Sequence, residues 1–366
     1  MSGTIATGDR RDLRALTSVR GIAAWAVVLY HIRLSLDWMP QRGIELLAKG
    51  YLAVDFFFLL SGFVIWMTWG ERLRAGGWRA VPGFLQKRVA RIWPLHLAML
   101  GFGLMLALLF AATGRHDAVE FPFAELPLHV LLVQNWGFTD ALSWNDPAWS
   151  ISAELGAYLL FPLLAFAIEW RRVPSWAIVS AIAALLVVLA ALFAAAGLDN
   201  LGKDIARFGL VRCVIEFTAG TAIGALWLRW RDAPGVPALI AGTLAVVLVG
   251  AAVLDVLPET WVVPAGFAAA LLALALTSGM RGNPLDWGPL HYLGEISYAT
   301  YLSHFLLWVA FKLVLVSDAH AVPPGLIALY LAIVLAGSIA AYHLIERPAQ
   351  RWINALPLGR RNPSLA

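Results

Sequence analysis

Run after run of this sequence is apolar for about twenty residues, the length at which an α-helix rising ~1.5 Å per residue crosses the ~30 Å hydrocarbon core of a bilayer. Such runs lie near residues 16–38, 51–70, 92–112, 148–168, 174–196, 208–228, 236–256, 260–279, 290–316 and 324–346. A chain that repeats this pattern ten times within 366 residues has little length left for anything else. The expected fold is all-α, a polytopic integral membrane bundle of about ten transmembrane helices, with Pro258 marking the least secure division. Its expected organisation is a cytoplasmic N-terminal segment over 1–15, a transmembrane domain over 16–347 and a cytoplasmic C-terminal tail over 348–366. The composition agrees, since 60% of residues are hydrophobic and only 14% charged, well away from the norm for soluble domains.

The charges that remain carry information. A formal net charge of +4 could point to nucleic acid, but no basic stripe lies outside the helix ends, so arginines that set topology explain the excess and no nucleic-acid partner is expected. With the N-terminus cytoplasmic, nineteen Lys and Arg fall on the cytoplasmic side and eight on the other. The positive-inside rule thus puts both termini in the cytoplasm and the connector 113–147 outside, with 127–136 as an interfacial helix, in what is expected to be a bacterial plasma (inner) membrane. The first apolar run follows Arg10, Arg11 and Arg14 as in a signal peptide, yet it lacks a cleavage site and carries Arg20 and His31, so it reads as a retained helix. The single cysteine, Cys213, excludes an intramolecular disulfide and a multi-cysteine metal site.

An ionisable group in the bilayer centre costs at least ~2.5–3.5 kcal/mol on insertion scales, so those that persist face a protein interior or a wet cavity. Arg20 and His31 share one face of the first helix, ~16 Å apart along its axis. Counted from the outer helix ends, His31, Asp55, Glu154 and His304 reach one layer in the outer half of the membrane. An imidazole with a carboxylate to fix its tautomer is the apparatus of general base catalysis, so His31 with Asp55 or Glu154 is the expected catalytic group. Interhelical hydrogen bonding is the plainer role for each of these residues. Histidines and carboxylates also bind zinc, but no tight ligand spacing occurs and no metal is expected. At the opposite surface Arg88 and Arg91, one turn apart, and Arg20 near the same level offer guanidinium forks for a phosphate-bearing donor, though helix-end arginines equally serve topology. Trp144 and Trp149 at the outer mouth could stack on a sugar.

Six segments in order, RGIAAWAVVLYH (20–31), GYLAVDFFFLLSGFVI (50–65), RVARIWPLH (88–96), WSISAE (149–154), GEISYATYLSH (294–304) and IERP (345–348), give a sequence that resembles the acyltransferase-3 family over residues 12–347. The resemblance implies a membrane-embedded O-acyltransferase that moves an acyl group, acetyl by base rate, from cytoplasmic acyl-CoA to a hydroxyl of an extracytoplasmic carbohydrate or glycoside. It implies His31 as the catalytic residue, Arg20, Arg88 and Arg91 as donor-binding residues, and Asp55, Ser61, Trp149, Glu154, Tyr301 and His304 as parts of the interior. Acyl-CoA (acetyl-CoA) enters as co-substrate, with no permanently bound cofactor, and membrane lipid surrounds the chain. Position 96 is His where the family usually has Tyr. The alternative function is a proton-coupled secondary transporter, because intramembrane His, Asp and Glu also form proton relays; the sequence has no inverted repeat to favour it.

Overall fold

The computed structural model describes residues 13–114, 119–280 and 282–357. Arg10, Arg11, Arg115, Arg281, Arg360 and Arg361, and the outer parts of both expected terminal segments, lie outside them. Fifteen α-helices follow one another among the described residues: α1 Arg14–Ile32, α2 Gln41–Ala48, α3 Ala53–Ile65, α4 Glu71–Gly76, α5 Val81–Ala112, α6 Leu126–Leu131, α7 Ala148–Ala167, α8 Ser175–Ala195, α9 Ile205–Trp230, α10 Gly235–Val253, α11 Glu259–Thr277, α12 Gly288–Glu295, α13 Ser297–Leu315, α14 Pro324–Ala341 and α15 Arg347–Ala355. The one β-type pairing among them is an isolated antiparallel bridge between Leu36 and Ala321. The chain is a multi-pass helical membrane protein.

Nine helical stretches among the described residues are long and apolar enough to cross a membrane, against the ten expected. The difference lies in Gln41–Ala112, an unbroken helical path of 72 residues. Straight, it would extend ~108 Å, more than three bilayer cores, so it must reverse. Gly77, at φ +56° between α4 and α5, supplies a backbone conformation that a side chain would disfavour. The second and third expected runs are therefore both present and joined by a tight helical turn. Pro258 does separate α10 from α11.

Two faces sort the helices. α9 is the central one, with Ala219, Gly220, Thr221, Ala222, Ile223 and Gly224 all buried. Its approach to α3 is set by two glycines: a Cβ on Gly220 would lie 2.0 Å from the Leu59 carbonyl oxygen, and one on Gly62 only 1.9 Å from that of Phe217. Small residues permit such backbone contact, and the resulting dispersion contacts replace the hydrophobic drive that lipid cannot provide. By contrast Leu239, Ile240, Val246 and Val247 of α10 stand exposed and present aliphatic side chains where a bilayer would lie.

Two expectations about connectors need correction. The interfacial helix expected over 127–136 is only α6, which stops at Leu132 because that residue turns left-handed at φ +56°. The tail expected from 348 is no free segment at its start. A π-helical turn, Tyr342–Glu346, runs straight into α15, which lies along α5 with Gln86 donating from Nε2 to the carbonyls of Ile353 (2.7 Å) and Leu356 (2.9 Å).

Candidate active site

α1 carries both ends of the site. Nothing interrupts it between Arg20 and His31, so the ~16 Å separation read from the spacing holds along a single helix. His31 sits one turn above Val27 and directs Nδ1 at the Val27 carbonyl, 2.9 Å away. A second ring meets it from α13: His304 Nε2 lies 3.1 Å from the same Nδ1. His304 is fully buried, and its own Nδ1 faces the Thr300 carbonyl at 3.2 Å.

These contacts favour one assignment of the protons. A carbonyl oxygen can only accept, so His31 Nδ1 and His304 Nδ1 both carry hydrogen. His304 Nε2 is then a lone pair that shares the His31 Nδ1–H with Val27. The remaining ring nitrogen, His31 Nε2, has its lone pair free and no partner among the described residues. Tyr30 and Phe305 wall the ring edge-on, at centroid distances of 5.0 and 5.5 Å. Among the described residues no carboxylate is hydrogen-bonded to this histidine. The expectation that Asp55 or Glu154 would do so is corrected by where those side chains go.

Asp55, fully buried at the start of α3, makes a bidentate pair with Arg212 of α9: Nε to Oδ1 at 2.7 Å and Nη2 to Oδ2 at 2.5 Å. Arg212 Nη1 also donates to the Leu201 carbonyl at 2.8 Å, and its guanidinium lies 5.6 Å from the Trp149 ring centre. Both carboxylate oxygens of Asp55 are thus occupied by a guanidinium. Glu216, one turn along α9 from Arg212, is fully buried and neither of its oxygens has a hydrogen-bond partner. Glu154, on α7, makes no hydrogen bond or ion pair with His31, whose polar contacts among the described residues are with the Val27 carbonyl and His304.

The arginine end is a mixed cluster. Arg20 Nη2 donates to the Gly294 carbonyl (2.9 Å) and to Ser297 Oγ (3.2 Å). Arg91 forms an ion pair with Glu346, which is buried where the π-helical turn ends, and lies over the Tyr298 ring at 5.2 Å. Arg88 has no ion-pair partner among the described residues; its guanidinium lies 5.9 Å from the Phe84 ring centre and 5.8 Å from that of Tyr158, and its enclosed Nε is unsatisfied. Of the three expected donor arginines, two are engaged within the protein and Arg88 keeps its hydrogen-bonding capacity.

The other interior candidates link the two ends. Ser61 Oγ is 3.4 Å from the Tyr158 hydroxyl, and the Tyr301 hydroxyl is 2.8 Å from Ser150 Oγ with its ring 6.1 Å from that of His304. Trp144 is buried inside the connector, donating from Nε1 to the Pro122 carbonyl at 3.1 Å, so it offers no open stacking face. Trp149 is also largely buried and lines a small polar cavity under residues 129–146. A larger apolar groove between α7 and α9 touches none of these groups. Among the described residues no set of three or more His, Cys, Asp or Glu side chains converges as a metal site would.

Sequence reasoning missed Arg212, counted as a topological charge, and Glu216. A cation and an acid four residues apart inside one apolar run were the available signal. Glu346 stood in the quoted IERP segment with no role assigned. His96, the departure from the usual Tyr, turns inward and donates from Nε2 to the His129 carbonyl at 2.7 Å.

Comparison with known proteins agrees with this interior. Residues 13–343 match the family model described as the acyltransferase domain of the acyltransferase-3 type. The chain is 32% identical to the acyltransferase MdmB of Streptomyces mycarofaciens, over 96% of this chain and 94% of that protein. It is 30% identical to the exopolysaccharide production protein ExoZ of Rhizobium meliloti (strain 1021), over 82% and 90%. With the O-acetyltransferase OatA of Staphylococcus aureus (strain NCTC 8325 / PS 47) it shares 24% identity over 93% of this chain but only 58% of OatA. No solved structure matches it. With a family match that spans all but the ends and a relative of nearly equal length, the chain belongs to the acyltransferase-3 family and is a membrane-bound acyltransferase.

Proposed function

We propose that this protein transfers an acyl group, acetyl in the first instance, from cytoplasmic acyl-CoA to a hydroxyl of a carbohydrate or glycoside on the far side of the membrane, with His31 as general base. The observation that carries the reading is the pair of contacts at His31 Nδ1, with the Val27 carbonyl at 2.9 Å and His304 Nε2 at 3.1 Å. With the Nδ1–H shared by those two acceptors, the lone pair needed to take a proton stands on Nε2. The relatives named as an exopolysaccharide production protein and an O-acetyltransferase support a sugar hydroxyl as the acceptor.

The chemistry balances without a metal or a covalent enzyme intermediate. His31 Nε2 removes the hydroxyl proton as the oxygen attacks the thioester carbonyl; the tetrahedral oxyanion collapses and expels the thiolate. The proton then passes from the imidazolium to the departing sulfur, leaving an O-ester and free coenzyme A. While His31 is cationic, two acceptors, the Val27 carbonyl and His304 Nε2, share its Nδ1–H. No anion needs to be desolvated beside it.

At the other end, Arg88 supplies a guanidinium with unsatisfied hydrogen-bonding capacity for the donor's phosphates, with Arg20 as the second donor arginine. The ~16 Å from Arg20 to His31 matches the reach of an extended pantetheine arm, which would lie along α1. N- and C-termini in the cytoplasm of a plasma membrane complete this orientation. Incubating purified protein with acetyl-CoA labelled in the acetyl group, together with the glycan fraction of cells lacking the gene, tests the reading. Label appearing as alkali-labile O-acetyl on glycan is the expected result; intact acetyl-CoA after prolonged incubation would overturn it.

A further inference from the structure

The His31 end of α1 carries a cation that the acyl-transfer reading leaves unused. Arg33 lies just past the helix, half-buried, with its guanidinium 3.9 Å from the centre of the Tyr30 ring. In the proposed orientation it stands on the far side of the membrane, where the positive-inside rule gives no reason for an arginine. Its Nη1 donates to the Tyr30 carbonyl at 2.6 Å, one of the last carbonyls of α1, and so caps the helix end. Capping accounts for one nitrogen only. Among the described residues Nε and Nη2 make no hydrogen bond, and Arg33 has no ion pair.

Those two nitrogens form the side-on fork by which a guanidinium takes both oxygens of a carboxylate or phosphate. Arg212 uses the same two to hold Asp55 inside the bundle. Stacking on Tyr30 engages the face of the Arg33 guanidinium and leaves this edge available. Lys49, two residues before Tyr51, is matched where Arg33 is not: its Nζ donates to Asp255 Oδ1 (3.2 Å) and Glu259 Oε2 (3.4 Å). Glu259 is further taken up by the Tyr51 hydroxyl and by the Leu201 N–H (2.9 Å). A half-buried guanidinium with an open fork calls for an anion.

Beside the fork is the candidate base. The Tyr30 ring stands edge-on to the His31 ring at 5.0 Å between centres, and 5.4 Å from the ring of Tyr51. Tyr30, His31 and Tyr51 are all half-buried, so part of each is open to a ligand, and the Tyr30 hydroxyl has no hydrogen-bond partner among the described residues. One phenol ring separates the guanidinium from the imidazole, a span comparable with one monosaccharide. Two tyrosine rings in contact give a sugar an apolar face to lie on, and the Tyr30 hydroxyl both donates and accepts. We infer that Arg33 and Tyr30 select an acidic acceptor, gripping a carboxylate or phosphate of the glycan so that a hydroxyl next to it meets His31. This inference rests on the proposed acyl transfer and adds the charge of the acceptor to it. Arg33 touches the substrate in this assignment and takes no part in the proton transfer.

The test uses full-length protein in membranes, acetyl-labelled acetyl-CoA, and the deacylated glycan fraction from cells lacking the gene. The glycan is offered untreated, after reduction of its carboxyl groups to alcohols, and after removal of its phosphates. The apparent KM for untreated glycan should be about tenfold lower than for one of the two neutralised forms, as a charge-assisted fork implies. The treatment that abolishes the advantage tells a sugar carboxylate from a phosphate. Arg33→Gln should bring the forms within about twofold of one another, Arg33→Glu should invert the preference, and Arg33→Lys, which keeps the charge, should retain part of it. Equal KM for all three forms with wild-type protein overturns the inference while acyl transfer stands. So does an Arg33→Gln protein that keeps the preference, or one whose KM for every glycan form and for acetyl-CoA rises by the same factor, which would leave Arg33 as the cap of α1 alone. If wild-type protein labels no glycan at all, the acyl-transfer reading fails and the acceptor site with it.

Discussion

Asp55→Asn separates a structural from a catalytic role for the residue that the sequence places beside His31. In the fold its carboxylate is closed in a two-point pair with Arg212, and both side chains are at most 1% exposed. Asparagine keeps the shape and removes the charge. Arg212 would then be a buried cation whose remaining hydrogen-bond partner among the described residues is the Leu201 carbonyl. Removing one member of a buried pair costs about 3–5 kcal/mol, because the survivor is left uncompensated. At a few degrees per kcal/mol for chains of this size, the unfolding midpoint should drop by roughly 5–10 °C. Heating detergent-solubilised protein and measuring the monodisperse fraction by size-exclusion chromatography reads this directly. Replacing both partners, Asp55→Leu with Arg212→Met, removes the stranded charge, and the midpoint should return most of the way with acetyl transfer above one-tenth of wild type. A stable Asp55→Asn protein that transfers nothing, or a stable double variant that is equally dead, would refute the structural assignment and return Asp55 to the chemistry.

Other substitutions test neighbouring parts of the account. Arg88→Gln should weaken acetyl-CoA binding by about 10- to 100-fold, as loss of charge-assisted hydrogen bonds implies, whereas Arg91→Gln should chiefly lower stability by stranding buried Glu346; isothermal titration beside the heating assay distinguishes them. Gly220→Ala puts a Cβ against the Leu59 carbonyl and should cost about 1–3 kcal/mol by forcing α9 from α3, and an unchanged midpoint would mean that these helices pack less closely than described. Asp146, raised to about 6 by burial and by Glu120, binds a proton more tightly folded than unfolded. Its neutral form is the favoured one, so stability present below pH ~4 declines as pH rises through about 6, and Asp146→Asn should flatten that part of the pH–stability curve.

How much of this was legible in the sequence follows from what each feature depends on. Helix number and length depend on local hydropathy, and the ten runs are all found, even where α3 and α5 are joined through Gly77. The His31–His304 juxtaposition was half legible: depth counting brought the two histidines to one level, but not which ring nitrogen would meet which. Depth also brought Asp55 to that level and could not say that it faces α9. Rotation of a helix about its axis is set by packing, here by Gly62 and Gly220, and a uniformly apolar run gives little periodicity from which to read it. Glu154 shows the same limit. Arg212 was misread for a different reason: its charge was counted for topology when its position inside a span, four residues from Glu216, made it an interior group.

The central claim is that His31 Nε2 takes the acceptor's proton. The measurement that tests it most directly is single-turnover acetyl transfer by His31→Gln, with acetyl-CoA affinity measured on the same folded sample. Glutamine can still hydrogen-bond to Val27 and His304 but cannot accept a proton at neutral pH. Transfer should fall by ~10²–10⁴ while donor affinity changes less than about twofold, since Arg20 lies ~16 Å from His31 along α1. Transfer within about fivefold of wild type by His31→Gln would contradict it.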